Sequence, residues 1–136
     1  MKYLLDTCTI SFFLRGQVNV IEQMQQVSPS DLSISVVTLL EIEYGFNIKQ
    51  SQQMNKLYKK WQSLVSLISI LPFNDGTAII AAAIRALLKQ QGKPIGAYDV
   101  LIAATALEHK IICVTNNLSE FQRIKELELL DWTVGT

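Results

Sequence analysis

Asp99-Val100-Leu101-Ile102-Ala103-Ala104-Thr105-Ala106-Leu107-Glu108-His109-Lys110, running straight into Ile111-Ile112-Cys113-Val114-Thr115, is the stretch that decides the fold. The first part is an Ala-rich helix pattern, Asp99 to Lys110, too apolar around its circumference to lie on a surface. The second part, Ile111 to Thr115, is a short run with no polar alternation. A strand of that kind is covered on both faces, as in a parallel sheet between layers of helices. A buried helix feeding a fully covered strand is therefore the local signature of an α/β domain.

The neighbouring segments repeat the unit. Upstream, Leu67 to Phe73 reads as a strand ended by Pro72 and Asn74-Asp75-Gly76. Thr77 to Gln91 follows as a long helix that stops at Gly92, with Pro94 just beyond. Gln50 to Ser66 is polar except for Met54, Leu57, Tyr58, Trp61, Leu64 and Val65, a single apolar stripe at helical spacing. Such a stripe is either core or a contact surface. Ser28-Pro29-Ser30 is a turn signal before a strand over Leu32 to Val37, and Thr38-x-x-Glu41 has the form of a capping box at the next helix start. At the N-terminus a strand, Tyr3 to Leu5, gives way at Asp6 to a helix over Thr7 to Leu14. Downstream, Asn116-Asn117 is a turn, Leu118 to Ile124 a short helix, and Leu127 to Val134 a candidate edge strand. The expected architecture is a central, mostly parallel sheet of four to five short strands flanked by helices on both faces, as a single domain over residues 1–136.

Bulk properties narrow the function classes. The chain has 136 residues and is 49% apolar, enough for one well-filled core. Twelve basic and twelve acidic residues cancel, so any nucleic-acid binding must come from a local patch rather than the overall field. Cys8 and Cys113 are too few for a disulfide scaffold, sit in no zinc-type cluster, and are expected as buried or half-buried thiols. The acid at Asp6 arrives too early for a signal peptide, and no apolar run reaches membrane-spanning length. A soluble cytoplasmic protein is expected.

The acids fall where chemistry is expected. In an open parallel sheet ligands bind outside the carboxyl ends of the strands. Asp6 ends the first strand, Glu41 lies in the helix after the second, and Asp99 heads the helix leading to the strand that ends at Thr115. Asn117 and Glu120 follow that strand. Converging carboxylates repel one another and call for a cation, with Mg²⁺ or Mn²⁺ the natural choice. The competing reading is that Asp6 and Asp99 only cap helices and Glu41 only completes the capping box with Thr38. The approach Gly92-Lys93-Pro94-Ile95-Gly96-Ala97-Tyr98 favours a site, because it delivers Asp99 to the exposed head of a buried helix.

In order along the chain, four motifs resemble those of PIN-domain ribonuclease toxins of the VapC type. They are Leu4-Leu5-Asp6-Thr7; Thr38-x-x-Glu41 with Tyr44-Gly45; Pro94-Ile95-Gly96-Ala97-Tyr98-Asp99-x-x-Ile102-Ala103-Ala104; and Val114-Thr115-Asn116-Asn117-x-x-Glu120-Phe121. The likeness runs from Tyr3 to about Trp132. It implies a PIN fold and the toxin component of a type II toxin-antitoxin pair. The implied activity is Mg²⁺-dependent endoribonuclease, hydrolysing phosphodiesters to 5′-phosphate and 3′-hydroxyl ends. It also implies a VapB-like antitoxin partner and a homodimer. Asp6 and Asp99 match the principal metal ligands and Glu41 the second acid. Many PIN domains carry aspartate where this chain has Asn117, so either Glu120 supplies the fourth carboxylate or a second ion is held weakly. Cys8 stands where relatives often carry asparagine.

Metal-assisted hydrolysis needs no nucleophilic side chain. His109, at a helix end beside Lys110, is accordingly left out of the site. Thr7, Thr115, Asn116 and Asn117 are candidates for orienting the acids, although a threonine after a strand equally well caps a helix or turn. Arg15, Arg85, Lys89 and Lys93 are candidate phosphate contacts, set against the ordinary solubilising role of surface cations. Two other readings remain. A PIN-like nuclease of RNA processing commonly has extra domains. A noncatalytic receiver-like module predicts an acid pair after the first strand, which Asp6 lacks.

Overall fold

The computed structural model describes residues 2–135. Five strands form one sheet in the order β3-β2-β1-β4-β5, every pair parallel: β1 Tyr3–Leu5, β2 Leu32–Ser35, β3 Ser69–Leu71, β4 Ile112–Val114 and β5 Leu129–Leu130. β1 is central, with Tyr3 opposite Leu32 on one side and Ile112 on the other. The chain builds outward from β1 through β2 to β3, then crosses back to β4. The strand order thus reverses between β1 and β4, where open α/β sheets place their sites.

Seven helices connect the strands: α1 Thr7–Leu14, α2 Val18–Gln25, α3 Val36–Ile48, α4 Gln52–Val65, α5 Asp75–Gln90, α6 Ala97–His109 and α7 Leu118–Phe121. They cover both faces of the sheet, because successive strand residues point to opposite sides. Leu4 and Cys113 pack with Ala81, Ile84, Leu88 and the alanines of α6. Leu5, Ile34 and Val114 pack with Ile10, Val20, Trp61 and Leu64 on the other face. Each buried Leu, Ile or Val contributes about 1.5–3 kcal/mol.

Several boundaries differ from those expected. β2 stops at Ser35, whose hydroxyl accepts from the Val37 N–H at 3.0 Å and caps α3. Thr38 is therefore buried inside α3, and Thr38-x-x-Glu41 is not a capping box. α5 begins two residues early, where Asn74 and Thr77 form the reciprocal cap instead. α2, absent from the sequence reading, is capped by the Gln17 side chain accepting from Val20 N–H at 2.8 Å. The last strand is only Leu129–Leu130, because Asp131 turns the chain by accepting from Thr133 N–H at 2.9 Å. In the α4 stripe, Trp61 and Leu64 are core. The Trp61 indole donates to Glu43 at 2.7 Å. This removes the stripe as a whole from consideration as a contact surface.

α5 and α6 run antiparallel. The Thr77 hydroxyl near the start of α5 donates to Glu108 near the end of α6, at 2.5 Å. The end of α5, the connecting loop and the start of α6 consequently lie together at the carboxyl rim of the sheet. Among the described residues no helix is long and apolar enough to cross a membrane.

Candidate active site

Asp6 sits at the carboxyl end of the central strand and is 1% exposed. Its backbone N–H donates to Val114 O at 3.0 Å, tying β1 to β4, and the Thr9 hydroxyl reaches the same carbonyl at 3.0 Å. Its carboxylate accepts from Thr9 N–H at 2.8 Å. Asp6 is thus the N-cap of α1, and capping does not preclude a place among the acids. Burial raises its pKa, with the Glu41 charge adding to the rise, while the Thr115 hydroxyl and the Thr9 donors draw it back down.

Glu41 lies in the second turn of α3, held by the Thr7 hydroxyl donating at 2.7 Å. Thr7 also shares a hydrogen bond of 3.1 Å with Thr38. Sequence reasoning, having read Thr38 as a cap, missed this contact.

Asp99 is the third residue of α6, one turn inside Gly96. Its carboxyl is half-buried and pushed up to about 7. Burial is the largest cause, followed by its hydrogen bond and charge contact with Glu120, then by the charges of Asp6 and Glu41. Asp99 thus lies within reach of the charges of all three other acids. Glu120, in α7, accepts from the Asn117 amide at 2.6 Å, and the Asn117 N–H donates to the Thr115 hydroxyl at 2.9 Å. Asn116 turns the other way, toward Thr133 at 3.2 Å and Asp131 at 3.4 Å, and braces the C-terminal loop instead of an acid of the pocket.

Cys113 is buried, as expected, but Cys8 is exposed. Partial desolvation and then the charges of Asp6, Asp99 and Glu41 push the Cys8 thiol up to about 11, so it stays protonated and unreactive at neutral pH. His109 lies at the opposite, amino end of the sheet, beside a cavity it shares with Lys2 and Ile111. Of the four candidate cations, Arg85 and Lys89 line a cavity at the start of α6, and Lys93 lies in the exposed loop before it. Arg15 stands at the far end of α1, bonded to the Ser11 hydroxyl at 2.8 Å.

None of the four acids pairs with Lys, Arg or His among the described residues, where the sole ion pair is His109–Glu108. Like charges held together without a counter-ion fit a hard divalent cation with oxygen ligands. Among the described residues no three potential ligands are already gathered around one point, and Asp99 is in hydrogen-bond contact with Glu120. The chemistry of the donor set, carboxylate oxygens alone, is that of a hard divalent cation, which Asp6 and Asp99 could hold.

Comparison with known proteins places the fold. Residues 3–127 match the PIN domain family. The chain is 33% identical to the tRNA(fMet)-specific endonuclease VapC of Salmonella typhimurium, over 97% of this chain and 98% of that protein. It is 33% identical to ribonuclease VapC1 of Haemophilus influenzae strain R2866, over 98% and 99%. It superimposes on a chain in the crystal structure of DNA-bound VapBC from Salmonella typhimurium with a TM-score of 0.86 and 32% identity, covering 97% and 98%. By sequence and by fold together, the chain belongs to the PIN-domain family, in its VapC branch.

Proposed function

We propose that this chain is the toxin of a type II toxin-antitoxin pair, an endoribonuclease that depends on Mg²⁺ or Mn²⁺ and leaves 5′-phosphate and 3′-hydroxyl ends. The observation that carries the reading is the uncompensated convergence of Asp6, Glu41, Asp99 and Glu120 at the point where the strand order reverses. A bound divalent ion supplies Lewis acidity at the phosphate and lowers the pKa of the attacking water. The protein's part is placement. Asp6 is fixed by the β1–β4 bond and its own cap, and Glu41 is aimed by Thr7. Asp99, raised by burial and by its contact with Glu120, would hold the cation together with that residue. Thr115 steers Asp6 and Asn117 steers Glu120.

The relative named for tRNA(fMet) makes that RNA the first substrate to try. The VapBC complexes among the structural neighbours make a VapB-like protein the expected partner. Val36, Leu40, Tyr44 and Ile48, exposed apolar residues spaced four apart on α3, are a face that such a partner, or the second chain of a homodimer, would cover.

Antitoxin-free protein incubated with total bacterial RNA and with purified tRNA(fMet), in Mg²⁺, in Mn²⁺ and in EDTA, tests the proposal. Expected are discrete metal-dependent cuts with 5′-phosphate ends, lost in Asp6→Ala and Asp99→Ala. Cuts that survive both substitutions remove the acidic centre. A folded, metal-supplied protein that cuts neither RNA removes the nuclease assignment.

A further inference from the structure

Beside the acids, at the same rim, the last two turns of α5, the loop that follows and the first turn of α6 enclose a cavity of about 340 Å³. Its walls are apolar: buried Leu88 and Val100, half-buried Ile95, and Pro94. Val100 is the neighbour of Asp99 in the chain, so cavity and acids are served by one helical turn. Arg85 and Lys89, four residues apart on α5 and both exposed, are its only charged lining residues, and neither forms an ion pair among the described residues. Arg123 donates to Pro94 O at 3.0 Å, which pins the loop and adds its charge, and Lys93 lies in the loop itself.

A chain of zero net charge therefore sets Arg85 and Lys89 on this apolar cavity, with Lys93 and Arg123 on the adjoining loop, at the head of the helix that carries Asp99. Arg85 and Lys89 stand one helical turn apart, about 6 Å along the axis, so a ligand that meets both carries more than one anionic group. A polyanion carrying flat apolar groups at intervals satisfies the cations and the apolar walls alike. We infer that this cavity is a nucleotide subsite for single-stranded RNA: the base enters against Leu88, Pro94 and Ile95, and Arg85 and Lys89 hold the flanking phosphates. The inference rests on the nuclease reading, because it is that reading which puts an RNA phosphate at Asp99. Single strands are the class that fits, since a base stacked in a duplex is not free to enter. The cavity is near the small end of ligand sites, about 300–1,000 Å³, which suits one base.

The test is equilibrium binding of a fluorescein-labelled single-stranded oligoribonucleotide, and of its duplex, to Asp99→Asn protein at several salt concentrations. Arg85→Ala with Lys89→Ala should raise Kd at least tenfold and reduce the salt slope by about 1.4, two phosphates at about 0.7 each. Lys56→Ala with Lys59→Ala on α4 removes the same charge elsewhere and should change Kd less than twofold. Ile95→Ala should weaken binding about threefold with an unchanged salt slope. Thermal unfolding checks that each variant is folded. If the two double variants weaken binding equally, or the Arg85/Lys89 pair changes nothing, the subsite is wrong while the nuclease reading stands. Duplex bound as tightly through the same two residues also overturns it. If the Asp99→Asn protein binds neither RNA, the subsite is wrong, and the cleavage assay alone decides the nuclease reading.

Discussion

Replacing Asp99 by Asn should stabilise the cation-free protein, by an amount that grows as pH rises from about 4 to 7 and is constant above. The Asp99 carboxyl is raised from the ordinary 3.8 to about 7 by burial and by Glu120, Asp6 and Glu41. The folded chain therefore keeps a proton there that the unfolded chain has lost. Stability from this group is fully present below about pH 4, declines between about pH 4 and 7, and is lost above. A three-unit separation taken at face value is about 4 kcal/mol, but the group is half-exposed, and solvent screening reduces this to about 1–2 kcal/mol. Asparagine resembles the protonated carboxyl in shape and donates to Glu120, yet never ionises. In EDTA at pH 4 the two proteins should melt within a degree or so of one another. At pH 8 the variant should melt about 3–8 °C higher, given a few degrees per kcal/mol for a domain of this size. Added Mg²⁺ at pH 8 should recover part of that difference in the unaltered protein, by mass action on its folded state. Scanning calorimetry at both pH values decides the matter. A difference that is the same at pH 4 and pH 8, or a variant less stable at pH 8, would refute the account of a buried carboxyl beside like charges.

Two further outcomes follow from single contacts. Thr7→Val removes the 2.7 Å bond that aims Glu41 and should slow single-turnover cleavage about tenfold, about 1.4 kcal/mol in the barrier, with KM unchanged. Trp61→Phe keeps the ring in the core but leaves one Glu43 oxygen without its 2.7 Å donor, and should cost about 1–3 kcal/mol in urea unfolding with no change in cleavage.

The layers of this fold are legible in the sequence because period and burial leave few alternatives. Ile111 to Val114 and the Ala-rich run before it can only be a covered strand and a buried helix, and β1 and β4 are where the pattern puts them. The strands are parallel throughout, not merely for the most part. Short elements without strong local signals are not legible. α2 holds only Val20 and Met24 in the core and starts on a glutamine cap, a residue that seldom announces a helix. The beginning of α3 was misplaced because two cap signals compete there, and Ser35 wins by ending β2 two residues before the apolar run does. The four acids are recognisable by their places after strands or early in helices, which is a matter of chain order. What aims them is not recognisable, because the Thr7–Glu41 contact spans 34 residues and the direction of Asn116 depends on a turn at Asp131 that reads as strand.

The substitution of asparagine for a family aspartate at position 117 changes how a site of this kind is balanced. A carboxylate there would stand against Glu120, which already shares a hydrogen bond with Asp99, and would add a fifth negative charge to a cluster with no cationic partner among the described residues. Asn117 adds none. Its side-chain amide donates to Glu120, and its backbone N–H donates to Thr115, whose hydroxyl in turn serves Asp6. One neutral residue thereby braces two of the acids, Glu120 on α7 directly and Asp6 after β1 through Thr115. Carried on α7, the fourth charge is in hydrogen-bond contact with Asp99 and helps to raise it, so a cation held at these two acids would relieve the repulsion between them.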